Sequence, residues 1–272
     1  MSNDGPIPTG QPAKDEEFWR DYLSHPDSLQ TVGRKVFSKI PASPRCQLCA
    51  SPFAGVGGPI MRLIGKRPAD GNPNMCNTCQ KVLIKHHGGA EVVSSLLFAD
   101  IRGSTAMAER MTAGEFHALL DRFYTVGSEA VFANNGVVDK FVGDELVANF
   151  APVYGARHAE RAVAAARAVL RATGHADPGG PWVPLGAGVH TGPMWFGAVG
   201  EGTHVEITVV GDAVNTAARI AAQAAAGEIL VSTDAAVAAG LDPALERRSL
   251  TLEGKEEPVE VIPLRVDGAG AA

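Results

Sequence analysis

No apolar run in this 272-residue chain approaches the roughly 18 to 20 residues that cross a bilayer as a helix. The opening MSNDGPIPTGQPAKDEE also lacks the basic-then-apolar layout of a secretory signal. The expectation is a cytoplasmic protein without a membrane span. Cysteine is scarce, with four residues that all fall in two pairs, and without a secretory signal structural disulfides are not expected. No repeat of solenoid period is present, which excludes a stacked array. A strong basic excess is missing as well. The net charge is -6, with 11 Lys and Arg against 7 Asp and Glu in residues 1–90 and 13 against 23 in residues 91–272. The basic residues of the first part are scattered and the acidic second part repels a polyanion, so a nucleic-acid partner is not expected.

With 45% hydrophobic and 20% charged residues, the chain has material for a small domain and a medium one. Residues 1–14 and 267–272 read as disordered ends. Residues 15–90 read as a helical and metal-binding module. Phe18, Trp19, Tyr22 and Leu23, then Val36, Phe37 and Ile40, recur at helical spacing around a break at Pro26, which predicts two short helices. Gln80 to His87 reads as a further helix, stopped by Gly88 and Gly89.

Residues 91–266 alternate strand and helix. VVSSLLFAD is a strand, followed by a helix opened by a Thr112 and Glu115 capping box and closed at Asn135 and Gly136. Val137 to Val142 and Leu146 to Phe150 form a hairpin around Gly143 and Asp144. An Ala-rich helix from about Tyr154 to Thr173 precedes strands around 183–190, 195–199 and 205–210, a helix from Asp212 and a strand at 228–231. Strand, helix, two strands, helix, strand is the ferredoxin-like order of an α+β fold, here elaborated.

Cys46 with Cys49 and Cys76 with Cys79 are separated by 26 residues. Two such knuckles place four thiolates around Zn²⁺ and hold together a segment too small for its own core. An iron-sulfur centre or a redox thiol pair are the alternatives. His86 and His87 are further candidate ligands, or cationic residues at a helix end.

Three segments carry the chemistry: FADIRGST (98–105), KFVGDELVA (140–148) and TVVGDAVNTAAR (208–219). Asp100 ends a strand and faces a cation, while Gly103, Ser104 and Thr105 let backbone N–H groups approach a triphosphate. Lys140 precedes Asp144 by four positions, on the same face of an extended strand. A lysine donates only, which suits the adenine N1 acceptor and conflicts with the N1–H of guanine. Thr208 can accept from the exocyclic amine. Asn215 and Arg219 share a helix face at i, i+4 spacing. Read singly, Asp100 and Asp144 also fit ordinary turns, Lys140 a solvated charge, Thr208 a common strand residue and Asp212 a helix cap.

Together, over roughly residues 91–266, these segments resemble the class III nucleotidyl cyclases. The resemblance implies a palm-type catalytic domain that converts ATP to cyclic AMP and pyrophosphate, with Asp100, Ile101 and Asp144 holding two Mg²⁺ or Mn²⁺ ions. It gives Lys140 and Thr208 the base, as in the adenylate-forming Lys/Thr subgroup, Asn215 the ribose and Arg219 the α-phosphate. It also implies a homodimer with shared active sites. The zinc-ribbon-like cysteine module, outside the resemblance, leads into the first catalytic strand through only a few residues, and the expectation is that it sets the two catalytic domains against each other. One departure concerns the triphosphate. Where the family often carries KGK, this chain has Glu253, Gly254 and Lys255. Glu253 cannot donate to phosphate, so either Lys255 or a basic residue such as Arg161 substitutes, or triphosphate affinity is weak. The rival readings are a guanylate cyclase, a non-catalytic nucleotide sensor and a zinc-ribbon nucleic-acid binder. A diguanylate cyclase is disfavoured, because VGDEL has one glycine before the acid and not a GGDEF-type turn.

Overall fold

A computed structural model describes residues 13–25, 33–34, 36–37, 39–40, 44–69, 72–86, 88–199 and 206–266. The terminal stretches expected to be disordered fall outside these residues, except Ala13 and Lys14, which open helix α1 (Ala13–Ser24). Trp19 and Leu23 lie one turn apart on α1 and are fully buried. Of the second short helix, Gly33, Arg34, Val36 and Phe37 are helical. Then come α2 (Gly57–Leu63), the short strands β1 (Pro68–Ala69) and β2 (Asn72–Cys76), and α3 (Asn77–Lys85). Helix α3 begins before Gln80 because the Cys76 sulfur caps it, accepting from the Cys79 N–H.

The rest of the chain builds β3 (Gly89–Ile101), α4 (Ser104–Arg110), α5 (Ala113–Ala133), β4 (Val137–Val142), β5 (Glu145–Phe150) and α6 (His158–Ala172). These are followed by β6 (Leu185–Val199), β7 (Glu206–Val210), α7 (Asp212–Gln223), β8 (Glu228–Ser232), α8 (Thr233–Ala239), β9 (Arg248–Leu250) and β10 (Val259–Arg265). The sheet runs β4-β5-β3-β6-β8-β10-β9, with β7 paired to β6. Strand β3 is antiparallel to both β5 and β6, while β6 and β8 are parallel. This is the α+β, ferredoxin-like order, extended by extra strands. The capping box at Thr112 and Glu115 is formed.

Two expected strands, 183–190 and 195–199, are one. Strand β6 pairs with β3 from Leu185 to Gly197, passing through Pro193. That proline falls between the β8 register (Ala187 to Val189) and the β7 register (Trp195 to Val199), where one edge of β6 is open and a missing N–H is tolerated.

Alternation along β3 divides the core. Leu97, Ala99 and Ile101 pack with residues of α5, α6 and α8, whereas Val92, Leu96 and Phe98 pack with α7, α1 and all four cysteines. Asp100 follows Leu96 and Phe98 in that alternation, toward the α7 face. Helix α7 lies close to the sheet over Gly188, where an added Cβ would stand 2.5 Å from the Ala221 nitrogen.

Candidate active site

Three carboxyl groups gather at the far end of β3. Asp100 sits opposite Glu145 in the β3–β5 register. Gly143, at a φ of 60° that favours glycine, turns the β4–β5 hairpin so that the Ile101 N–H donates to the Asp144 carbonyl at 3.4 Å. The Asp100 carboxyl is pushed up to about 6, first by burial and then by its hydrogen bond with the Asp144 carboxyl. Glu145 is pushed up to about 7 by burial, then by Asp100 and Asp144. One guanidinium answers them: Arg102 pairs with Asp100 and donates to the Ala222 carbonyl at 2.9 Å.

Ile101 carries a hydrocarbon side chain, so its main-chain carbonyl is the one group it can offer a cation. Clustered oxygen donors with under-compensated negative charge are what a hard divalent cation requires. Glu145 and Arg102 were not picked out from the sequence. The hairpin register, which sets Glu145 across from Asp100, was the available signal. Gly103 takes a left-handed φ of 74° at the start of α4, with Ser104 and Thr105 in its first turn.

A second cluster lies where β7 reaches β4. Lys140 Nζ is 2.8 Å from Glu206 Oε1 and 3.5 Å from Asp139 Oδ2. Buried Thr208 donates its hydroxyl to Asp139 Oδ2 at 2.9 Å. Lys140 and Thr208 are therefore brought together around Asp139. Plain alternation would turn Asp139 away from the Lys140 face, but the β4–β5 register shifts between Val138 and Lys140 and re-aims it. Burial pushes the Asp139 carboxyl up to about 6, while Lys140 and the Thr208 hydroxyl hold it down. Neither Asp139 nor Glu206 carried a sequence signal.

Helix α7 supplies the third group. Asn215 is exposed and Arg219 half-buried, one turn apart. Asp212, expected as a cap, does not cap: Gly211 holds the N-cap position without a side-chain bond, and the Asp212 carboxylate pairs with Lys255. Lys255 holds that carboxyl below its usual range. The turn carrying Lys255 passes over Arg219, since an added Cβ on Gly254 would stand 3.3 Å from Arg219 Nη2. Arg161, the other candidate for the triphosphate, is committed elsewhere. Its guanidinium donates to the carbonyls of Ala156 at 3.0 Å, Asn135 at 2.7 Å and Ala151 at 3.1 Å.

The charged groups acting on Glu145 are Asp100, Asp144 and Arg102, with neither Lys140 nor Arg219 among them. Within one chain the acidic end pairs with Arg102, Lys140 pairs with Glu206 and Asp139, and Arg219 acts on Asp212.

The profile of the family described as "Adenylate and Guanylate cyclase catalytic domain" matches residues 89–261. This chain belongs to the class III adenylate and guanylate cyclase family. Its fold is the α+β palm of that family. An uncharacterized protein of Mycobacterium tuberculosis is 34% identical over 183 residues, covering 64% of this chain and 33% of the relative. An adenylate cyclase of Anabaena cylindrica is 32% identical over 131 residues, covering 46% of this chain and 26% of the relative. The chain thus spans about a third or less of the length of these relatives. The crystal structure of the guanylyl cyclase Cya2 superposes with a TM-score of 0.61 at 25% identity, covering 67% of this chain and 96% of that one. For the adenylyl cyclase CyaB from P. aeruginosa the TM-score is 0.55 at 24% identity, covering 67% and 99%, a likeness of fold. Among the described residues of the cyclase chain, no helix is long and apolar enough to cross a membrane.

The cyclase sheet carries the cysteine module on its α7 face. The four sulfurs of Cys46, Cys49, Cys76 and Cys79 lie within 4.8 Å of one another, as free, buried thiols. Cys49 and Cys76 are 3.8 Å apart, and the Cys76 N–H donates to Cys46 at 3.2 Å. His86 is not among the grouped ligands, and its ring stacks on Phe18 at 3.7 Å between centroids; His87 lies outside the described residues. The first knuckle braces β4: Gln47 Nε2 donates to the Val138 carbonyl at 3.1 Å. Arg34 links the Leu48 carbonyl at 3.1 Å to the Gly136 carbonyl at 2.6 Å.

Proposed function

We propose that this cyclase is an adenylate cyclase that makes 3',5'-cyclic AMP and pyrophosphate from ATP as a homodimer. The observation that carries this reading is the Lys140 and Thr208 cluster around Asp139. Lys140 donates to the adenine N1 and Thr208 accepts from the exocyclic amine, whereas guanine presents N1–H and O6 there. Asp100, Asp144 and the Ile101 carbonyl, beside Glu145, would hold two Mg²⁺ or Mn²⁺ ions, which when bound neutralise the triphosphate and ease ionisation of the 3'-hydroxyl. Asn215 orients the ribose. Arg219 takes up charge on the α-phosphate as the 3'-oxygen bonds to phosphorus and the bond to pyrophosphate breaks. Gly103, Ser104 and Thr105 offer main-chain N–H groups to the phosphates.

The separate partners of the acidic and basic groups support a shared site, with the carboxylates from one chain and the base-reading residues and Arg219 from its partner. Two-fold symmetry then gives two equivalent sites. Residues 15–90 form the metal-binding module and residues 91–266 the catalytic domain. The four cysteines hold a structural Zn²⁺, in keeping with a cytoplasmic setting where thiols stay reduced.

Side-by-side turnover of ATP and GTP, with each cation, tests the substrate. Preferential release of cyclic AMP is expected, and preferential release of cyclic GMP would establish the guanylate cyclase reading instead. Lys255 serves the triphosphate in place of Glu253. Lys255→Ala is expected to raise KM for ATP about tenfold with a smaller change in kcat, the scale of one charge-assisted hydrogen bond. An unchanged KM would remove Lys255 from that role.

A further inference from the structure

The base-reading cluster contains a carboxylate that neither the sequence motifs nor the proposed chemistry uses. A threonine hydroxyl alone cannot tell adenine from guanine, because it can accept from the N6 amine of one or donate to the O6 of the other. Thr208 does not have that choice. Its hydrogen is given to Asp139 Oδ2 at 2.9 Å, and the Asp139 side chain is only 4% exposed. Rotating the hydroxyl toward a guanine O6 would strip a buried carboxylate of a partner, a costly exchange.

We propose that Asp139 is the positioning residue that makes this site select adenine, by taking the Thr208 hydrogen and leaving Thr208 only lone pairs to present to the base. The proposal rests on the adenylate cyclase reading and deepens it. Glu206, 2.8 Å from Lys140 Nζ, completes the arrangement, since Lys140 stands between two carboxylates that keep it charged and donor-only. Guanine then meets a mismatch at both edges: N1–H faces a donor and O6 faces lone pairs. Burial raises the Asp139 carboxyl only to about 6, so it is ionised and able to accept at neutral pH.

The competing explanation is that Asp139 merely balances the charge of Lys140. A double-mutant cycle separates the two. kcat/KM for ATP and for GTP is measured on wild type, Asp139→Ala, Thr208→Val and the double variant. The ATP to GTP ratio is expected to fall about tenfold in Asp139→Ala, with GTP turnover rising as ATP turnover falls. In the Thr208→Val background, Asp139→Ala is expected to leave the ratio unchanged. A ratio that does not move in Asp139→Ala, or moves equally in both backgrounds, overturns the proposal. Asp139→Leu, similar in shape without the acceptor, is the second variant should alanine unfold the chain. Equilibrium binding of ATP and GTP to the same proteins reads the same ratio. A wild type that binds ATP in preference to GTP yet cyclises neither would sink the catalytic reading, while the binding ratio still decides the role of Asp139.

Discussion

Chains carrying Asp100→Ala and chains carrying Arg219→Ala, each nearly inactive alone, are expected to recover about a quarter of wild-type turnover when assembled together in equal amounts. Each variant removes one half of a shared site. Asp100 lies with Asp144 and Glu145 at the end of β3, while Arg219 lies on α7 beneath the turn of Gly254. An arginine that meets the migrating phosphoryl charge is worth about 10³-fold or more, so each homodimer should be close to silent. In a random mixture about half the dimers are mixed, and each of these has one intact site and one doubly damaged site, as two-fold pairing dictates. Differently tagged chains, purified through both tags, isolate the mixed dimer and should show about half of wild-type activity. No recovery in verified mixed dimers would mean that each chain builds its own site.

Cys46→Ser is expected to lose the bound metal and to lower the melting temperature by about 10 °C or more, because binding free energy at a four-thiolate site is folding free energy. All four cysteines sit in the core shared with Leu96 and Phe98 of the catalytic sheet. The damage should therefore reach beyond the module. Gln47 and Arg34 hold the carbonyls of Val138 and Gly136, and Asp139 and Lys140 follow at once on β4. A raised KM for ATP should accompany the loss of metal. Metal analysis and calorimetry on the same preparation check this, and a variant that keeps the wild-type melting temperature after losing its metal would show that the centre does not support the fold. Unchanged dimerisation and turnover would also rule out a part in placing the two catalytic domains.

Much of the fold was legible because local signals agreed with the tertiary arrangement. The capping box at Thr112 and Glu115, the Gly143 turn and the apolar runs flanking it each fix a local geometry, and the structure keeps them. Residues 183–190 and 195–199 read as two strands with Gly192 and Pro193 between them, and only the open edge opposite Pro193 shows why β6 continues through. At the candidate site, Lys140 and Thr208 stand out in the sequence, and the structure brings them together. Asp139 between them does not stand out, since a register shift has no residue signature and alternation points the wrong way. Arg161 and Asp212 show the complementary failure: charge suggested a role at the phosphates and at a helix cap, but long-range partners, the carbonyls around residues 135–156 and the Lys255 ammonium, claim them.

The most direct measurement incubates the purified dimer with ATP and either Mg²⁺ or Mn²⁺ and follows cyclic AMP and pyrophosphate, with Asp144→Ala alongside. Wild type is expected to release the two products in equal amounts, and Asp144→Ala about 1,000-fold more slowly, as loss of several kcal/mol of charge stabilisation requires. A folded, dimeric wild type that releases no cyclic nucleotide with either ion, or an Asp144→Ala chain as fast as wild type, would contradict a cation-dependent cyclase site built on these carboxylates.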